Sequence, residues 1–128
     1  MADDAAPLLL DTHVLVWMAT GDPRLKRVDI KALHDPDRKL FVSAVVAFEL
    51  ADLQHRGRLA MTEPLDFLRE HMNFQLADYP AQAWKIAAQL PDIHRDPIDR
   101  MLIAHAIVAE MTLVTADKHI RRYPVDFI

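Results

Sequence analysis

At 128 residues and 14.6 kDa the chain holds one domain, at roughly 100–200 residues each, and no apolar run approaches the ~20 residues of a membrane span. With 52% hydrophobic and 27% charged residues it can bury a core, while the lack of cysteine excludes thiolate metal sites and thiol nucleophiles, and two glycines, Gly21 and Gly57, exclude a P-loop or G-x-G-x-x-G turn. Fifteen Lys and Arg against nineteen Asp and Glu give a net charge of −4, not the basic balance of an ordinary nucleic-acid binder.

The acidic opening MADDAAP stands where a secretory signal would be basic, so a cytoplasmic protein is expected, with a short tail, 1–7, inside a single domain, 1–128. Leu8 to Leu10 is an apolar run of strand length that stops at Asp11. Asp11 or Thr12 then caps a helix over His13 to Met18, and Lys26 to Leu33 reads as a second helix. Leu40 to Val42 is the next strand, and Ser43 caps a helix from Ala44 to Arg56 that Gly57 ends. Thr62 is similarly placed before a helix over Glu63 to His71, and Asn73 to Ala77 is a weaker strand. A helix over Ala81 to Leu90 stops at Pro91, and Asp96 caps another that opens on Pro97, where a missing N–H costs least, and runs to about Glu110. Thr112 to Thr115 is a third buried strand, ending just before Ala116 and Asp117, and Val125 to Ile128 is a candidate edge strand. Strands alternating with helices predict an α/β fold around a parallel sheet.

In such a sheet sites form beyond the carboxyl ends of the strands, where Asp11 and Asp117 stand. Either acid could instead be a simple helix cap. Glu49 lies in a helix whose neighbouring positions are Val45, Val46 and Leu53, so it follows the apolar stripe; it needs a basic partner there or a wet cleft. Asp99 sits on the same kind of stripe with Leu102 and Ile103, although D-P-I-D also reads as a capping box in which Asp96 caps and Asp99 reaches back. Four carboxylates converging in one cleft repel each other unless a cation intervenes. Hard oxygen donors suit Mg²⁺ or Mn²⁺, and the chemistry implied is metal-assisted hydrolysis of a phosphodiester.

The segments L-L-L-D-T-H at 8–13, S-x5-E from Ser43 to Glu49, H-R-D-P-I-D-R-M-L-I-A-H-A at 94–106 and T-A-D at 115–117 resemble, in order, the motif blocks of PIN domains, and more narrowly of VapC-type toxins of type II toxin–antitoxin systems. The resemblance covers nearly the whole chain. It implies a PIN-like three-layer α/β/α sandwich around a central parallel sheet, and a Mg²⁺-dependent endoribonuclease, with Mn²⁺ as a substitute, that inhibits translation and growth. It also implies tRNA or rRNA as substrate, inhibition by a cognate VapB-like antitoxin, and a homodimer. Carried over by motif, Asp11, Glu49, Asp99 and Asp117 are the catalytic and metal-holding acids, Asp11 and Asp99 the most direct ligands. Thr12 and Thr115 resemble positions whose hydroxyls orient carboxylates or water, and His94 and Asp96 belong to the same block as Asp99. Ile98 stands where an aromatic is common.

Other residues carry less. The seven histidines lie at least eleven residues apart, so no local zinc pair exists, and His13 reads as a packing or surface residue. Trp17 and Trp84 fall on apolar stripes as core or dimer-contact residues. Arg100 could reach a phosphate, tether an acid or form a surface ion pair. Basic groups at Arg24, Lys26 and Arg27, and at Lys118, Arg121 and Arg122, could neutralise phosphates only by converging on a cleft. A phosphorelay receiver needs paired acids at the first strand's end and a late lysine, which are lacking. A D-x-D phosphatase needs a second acid after Asp11, where His13 stands. The alternative that shares the fold is a non-catalytic PIN-like module binding RNA or protein.

Overall fold

The computed structural model describes residues 6–128, so residues 1–5 of the expected tail, with Asp3 and Asp4, lie outside the described residues. Four strands, β1 (Leu8–Leu10), β2 (Leu40–Ser43), β3 (Gln75–Ala77) and β4 (Thr112–Val114), form one parallel sheet in the order β3-β2-β1-β4. Parallel neighbours need crossover connections. These are supplied by α1 (Thr12–Thr20), α2 (Ile30–Leu33), α3 (Ala44–His55), α4 (Leu65–Met72), α5 (Ala83–Gln89) and α6 (Pro97–Ala109). This is the expected α/β sandwich.

β1 lies inside the sheet, and its three leucines are fully buried. A strand covered on both faces has no polar side, which is why Leu8 to Leu10 runs apolar without alternation. Leu40 and Val42 on β2 and Leu113 and Val114 on β4 complete the layer. Each leucine so buried contributes roughly 1.5–3 kcal/mol. The register pairs Leu8 with Leu40 on one side and with Thr112 on the other, and Leu10 with Val114. One residue further, the Asp11 N–H donates to the Val114 carbonyl at 3.1 Å. The chain thus leaves β1 and β4 at the same height, which puts Asp11 beside Thr115.

Local chemistry sets the helix starts. Asp11 Oδ1 accepts from the Val14 N–H at 2.8 Å, Ser43 Oγ from the Val45 N–H at 3.2 Å, and Asp96 Oδ1 from the Ile98 N–H at 2.9 Å. Each satisfies one of the donors a helix leaves open at its first turn. Pro97 occupies the first position of α6, as expected. Gly57, at φ 68, follows α3 in the left-handed region that penalises a Cβ.

Three expectations change. The single helix over 26–33 is instead a 3-10 turn, Pro23–Arg27, and the short α2, because Asp22 and Asp29 each cap their own segment and Val28 between them is extended. α4 starts at Leu65 after Pro64, with no side-chain cap, so Thr62 does not serve. The segment 125–128 runs parallel to β4 through a Leu113–Phe127 bridge, with the Leu113 N–H donating to Asp126 O and the Ile128 N–H to Leu113 O, but forms no full strand. Among the described residues no helix is long and apolar enough to cross a membrane.

Candidate active site

The acids gather at the carboxyl edge of the sheet. Asp11 follows β1, Asp117 lies three residues beyond β4, Asp99 sits in the first turn of α6, and Glu49 is midway along α3. Asp11, 5% exposed, caps α1 with one oxygen, and the Thr115 hydroxyl lies close enough to favour its carboxylate. Burial pushes its carboxyl above the usual range, and the nearby charge of Asp117 adds to this; the Thr115 hydroxyl, the Val14 N–H and His13 pull the other way. A cap takes only one of two carboxylate oxygens, so the capping reading and the site reading of this residue are compatible.

Glu49 joins through Thr12, whose buried hydroxyl donates to Oε1 of Glu49. Among the described residues no ion pair involves Glu49, so the basic partner weighed from the sequence is not what holds it. Half-buried on the inner stripe of α3, it is tied instead to the residue next to Asp11.

Asp99 departs from the capping-box reading. Asp96 caps α6 as expected, but the Asp99 carboxylate turns to His94, with Oδ2 2.9 Å from the ring Nε2. Desolvation first, then repulsion from Asp96 and Asp117, push the Asp99 carboxyl up to about 7, against the hydrogen bond and charge of His94. One ligand-type atom each from His94, Asp99 and Asp117 lies within 4.8 Å of the others. Asp117 Oδ1 also accepts from the His119 and Ile120 N–H groups at 2.7 and 3.2 Å, and the Asp117 N–H donates to the Thr115 hydroxyl. Thr115 therefore holds the backbone of Asp117 while its hydroxyl stands beside the Asp11 carboxylate.

Asp117 belongs to a second group as well, lining a small open cleft of about 180 Å³ with Asp11, His13, Trp17, Arg27 and Ala116. His13 is exposed at the cleft, and Trp17 is core, as expected, with the Arg24 guanidinium 5.3 Å over its ring. Arg27, whose chain neighbours Arg24 and Lys26 form one basic group in sequence, is the cation that this group places at the acids. Arg121 braces the other wall, its Nε donating to the Thr115 carbonyl at 2.9 Å.

Arg100 does not tether an acid. Its guanidinium donates to the carbonyls of Ala87, Leu90 and Pro91 at 2.9 to 3.0 Å, closing the end of α5 onto α6. It also approaches the Tyr123 hydroxyl at 3.4 Å. That hydroxyl accepts from the His94 N–H at 2.7 Å and donates to the His94 carbonyl at 3.3 Å. Sequence reading placed neither Tyr123 nor His119 at the site, because Tyr123 is remote from the motif around His94 and nothing in the spacing of His119, two residues beyond Asp117, signals that its ring stacks on His94 at 5.2 Å.

Residues 8–126 match the PIN domain profile. The chain belongs to the PIN domain family. This PIN domain is 32% identical over 120 residues to Ribonuclease VapC22 of Mycobacterium tuberculosis, covering 91% of each chain. Its fold is similar to the VapBC2 structure from Rickettsia felis, bound to a DNA fragment from their promoter: TM-score 0.67 and 18% identity, over 94% of this chain and 96% of that one. The DNA-bound VapBC structure from Salmonella typhimurium is equally similar, with a TM-score of 0.67 and 19% identity over 96% and 97%. The PIN domain assignment and these fold matches agree with the four-stranded parallel sheet and its helices.

Proposed function

We propose that this PIN domain is a divalent-metal-dependent endoribonuclease, the toxin of a VapBC-type module, hydrolysing phosphodiester bonds of RNA. The observation that carries the reading is the convergence of Asp99, Asp117 and His94 within 4.8 Å, with Asp11 and Glu49 tied in through Thr115 and Thr12. The 32% identity to a protein named a ribonuclease supports the same reaction class.

The donor set fits a hard cation. It is rich in carboxylate oxygen, and Asp11 and Asp99 are both pushed toward the neutral form, so a positive charge is what the arrangement lacks. Asp11, Asp99 and Asp117 would hold Mg²⁺ or Mn²⁺, with Glu49 completing the site. Such an ion, when bound, polarises the phosphodiester and acidifies water for in-line attack. The chain's own residues do the positioning. Thr12 fixes the Glu49 carboxylate so that it can accept a proton from an approaching water, and Thr115 holds the backbone of Asp117 while its hydroxyl stands beside the Asp11 carboxylate. Arg27 at the cleft rim offers a charge for a substrate phosphate, which gives an acidic chain a local place to hold RNA.

A structured RNA, tRNA or rRNA, is the substrate this reading carries, cleaved in the cytoplasm with translation and growth inhibited. A VapB-like antitoxin and a second copy of the chain are its partners. Phe48 on α3, Phe67 on α4 and Trp84 on α5, exposed by 63%, 46% and 62%, supply apolar surface for such partners to cover. Trp84 is accordingly not a core residue. The test is incubation of the purified protein with total cellular RNA, with and without Mg²⁺ or Mn²⁺, beside Asp99→Asn, with new 5′ ends mapped. Discrete metal-dependent cuts lost in the variant are expected. No cutting by folded, antitoxin-free protein would overturn the nuclease and favour an RNA- or protein-binding module.

A further inference from the structure

We infer that His94 is a nitrogen ligand of the divalent ion held by Asp99 and Asp117, making this a mixed nitrogen and oxygen centre that favours transition-series ions such as Mn²⁺ over Mg²⁺. The inference rests on reading the acids as a metal centre and adds to it a donor of a different kind.

The geometry is that of neighbouring ligands. Two donors bonded to one six-coordinate ion at about 2.1 Å stand about 3 Å apart when they are adjacent. His94 Nε2 and Asp99 Oδ2 are 2.9 Å apart, and an oxygen of Asp117 lies within 4.8 Å of both. Donors on one ion at about 2.1 Å are at most about 4.2 Å apart, so small side-chain adjustments within this cluster bring all three onto a single ion. Bonding an ion through Nε2 would need the ring's single proton on Nδ1. Nδ1 has no protein hydrogen-bond partner among the described residues, so nothing opposes that tautomer.

The backbone and ring of His94 are also held by neighbours outside the cluster. The Tyr123 hydroxyl bonds both the N–H and the carbonyl of His94, so the backbone cannot rotate without breaking two hydrogen bonds. His119 stacks on the ring at 5.2 Å and 16°, limiting its tilt. Arg100 pins the preceding loop through the Leu90 and Pro91 carbonyls. Imidazole nitrogen is a better match to transition-series ions than to Mg²⁺, which prefers oxygen and water.

The experiment is electron spin echo spectroscopy of Mn²⁺ bound to the whole protein, with Mn²⁺ and Mg²⁺ affinities measured by calorimetry. Modulation from one directly bonded nitrogen is expected, lost in His94→Gln and kept in His119→Gln. Mn²⁺ affinity should fall about tenfold or more in His94→Gln, while Mg²⁺ affinity changes by less than about threefold. The wild-type spectrum decides the point even if a variant folds poorly. Mn²⁺ bound without nitrogen modulation, yet weakened by Asp99→Asn, would overturn the inference and leave the carboxylate centre standing. No Mn²⁺ binding at all would overturn both.

Discussion

Asp11 and Asp99 are both carboxyls that burial drives toward the neutral form, yet their surroundings differ in kind. Asp11 is surrounded by fixtures of the fold: a helix N–H from Val14, the hydroxyl of Thr115, and a backbone bond across β1 and β4. Asp99 is surrounded by groups that themselves carry charge, namely His94, Asp96 and Asp117. Burial leads at both corners, but fixed hydrogen bonds outweigh neighbouring charges at Asp11, whereas the charge of Asp96 ranks directly after burial at Asp99. Ions and pH should act chiefly through the second.

The largest effect tests whether both corners are needed. Asp11→Asn keeps an excellent helix cap but removes the charge. It should leave the fold intact while RNA cleavage drops roughly 10³-fold, the several kcal/mol a cation's charge stabilisation represents. Initial rates on a defined RNA, with circular dichroism as control, measure it. Asp99→Asn should match that loss, and activity surviving in either would break the symmetry.

Stability should distinguish them next. A folded carboxyl at about 7, above its ordinary 3.8, binds protons that the unfolded chain releases. Ionised Asp99 therefore costs stability above pH 7, the cost shrinks as pH falls, and it vanishes below about pH 4. Metal-free Asp99→Asn should be about 1–2 kcal/mol more stable than wild type at pH 8, allowing for partial solvent screening, and equal to it near pH 4. Urea unfolding across pH checks this. Excess Mg²⁺ should raise the wild-type melting temperature and leave the variant unmoved.

A smaller effect probes the packed corner. Thr12→Val preserves shape but removes the hydroxyl that aims Glu49, and kcat should fall about tenfold, as for one hydrogen bond to a charged group. Smallest of the four, Tyr123→Phe frees both backbone groups of His94 and should cost about 1 kcal/mol. Its effect on Mn²⁺ affinity should exceed that of Thr12→Val, since it loosens the charged corner.

What the sequence reveals divides along similar lines. β1, the Ser43 cap and the Asp96-Pro97 start of α6 are legible because their causes are local: an apolar run, a hydroxyl before a helix, a proline where no N–H is needed. The split of residues 23–33 was also written locally, in the two caps Asp22 and Asp29, but the continuous basic and apolar pattern hides it. The partners of the acids are a different matter. Asp99 turns to His94 instead of closing a capping box, Glu49 takes a hydroxyl instead of an arginine, and Arg100 binds carbonyls instead of an acid. Each depends on which backbone ends up across the cleft, and no spacing along the chain encodes that. Trp84 shows the same limit for packing, since an apolar stripe states which face is greasy but not whether this chain covers it.

The pairing of β1 with β4 has a consequence in time. Leu8 meets Thr112 across almost the whole length of the chain, and Asp11 gains Thr115 and Asp117 as neighbours only when that pairing closes. Contacts so distant in sequence are late and slow to form. During synthesis the amino-terminal two-thirds can collapse on the ribosome while the acids remain scattered. Until the segment from Thr112 to Asp117 has cleared the ribosome the four acids stay apart, and the candidate site assembles only when β4 pairs with β1.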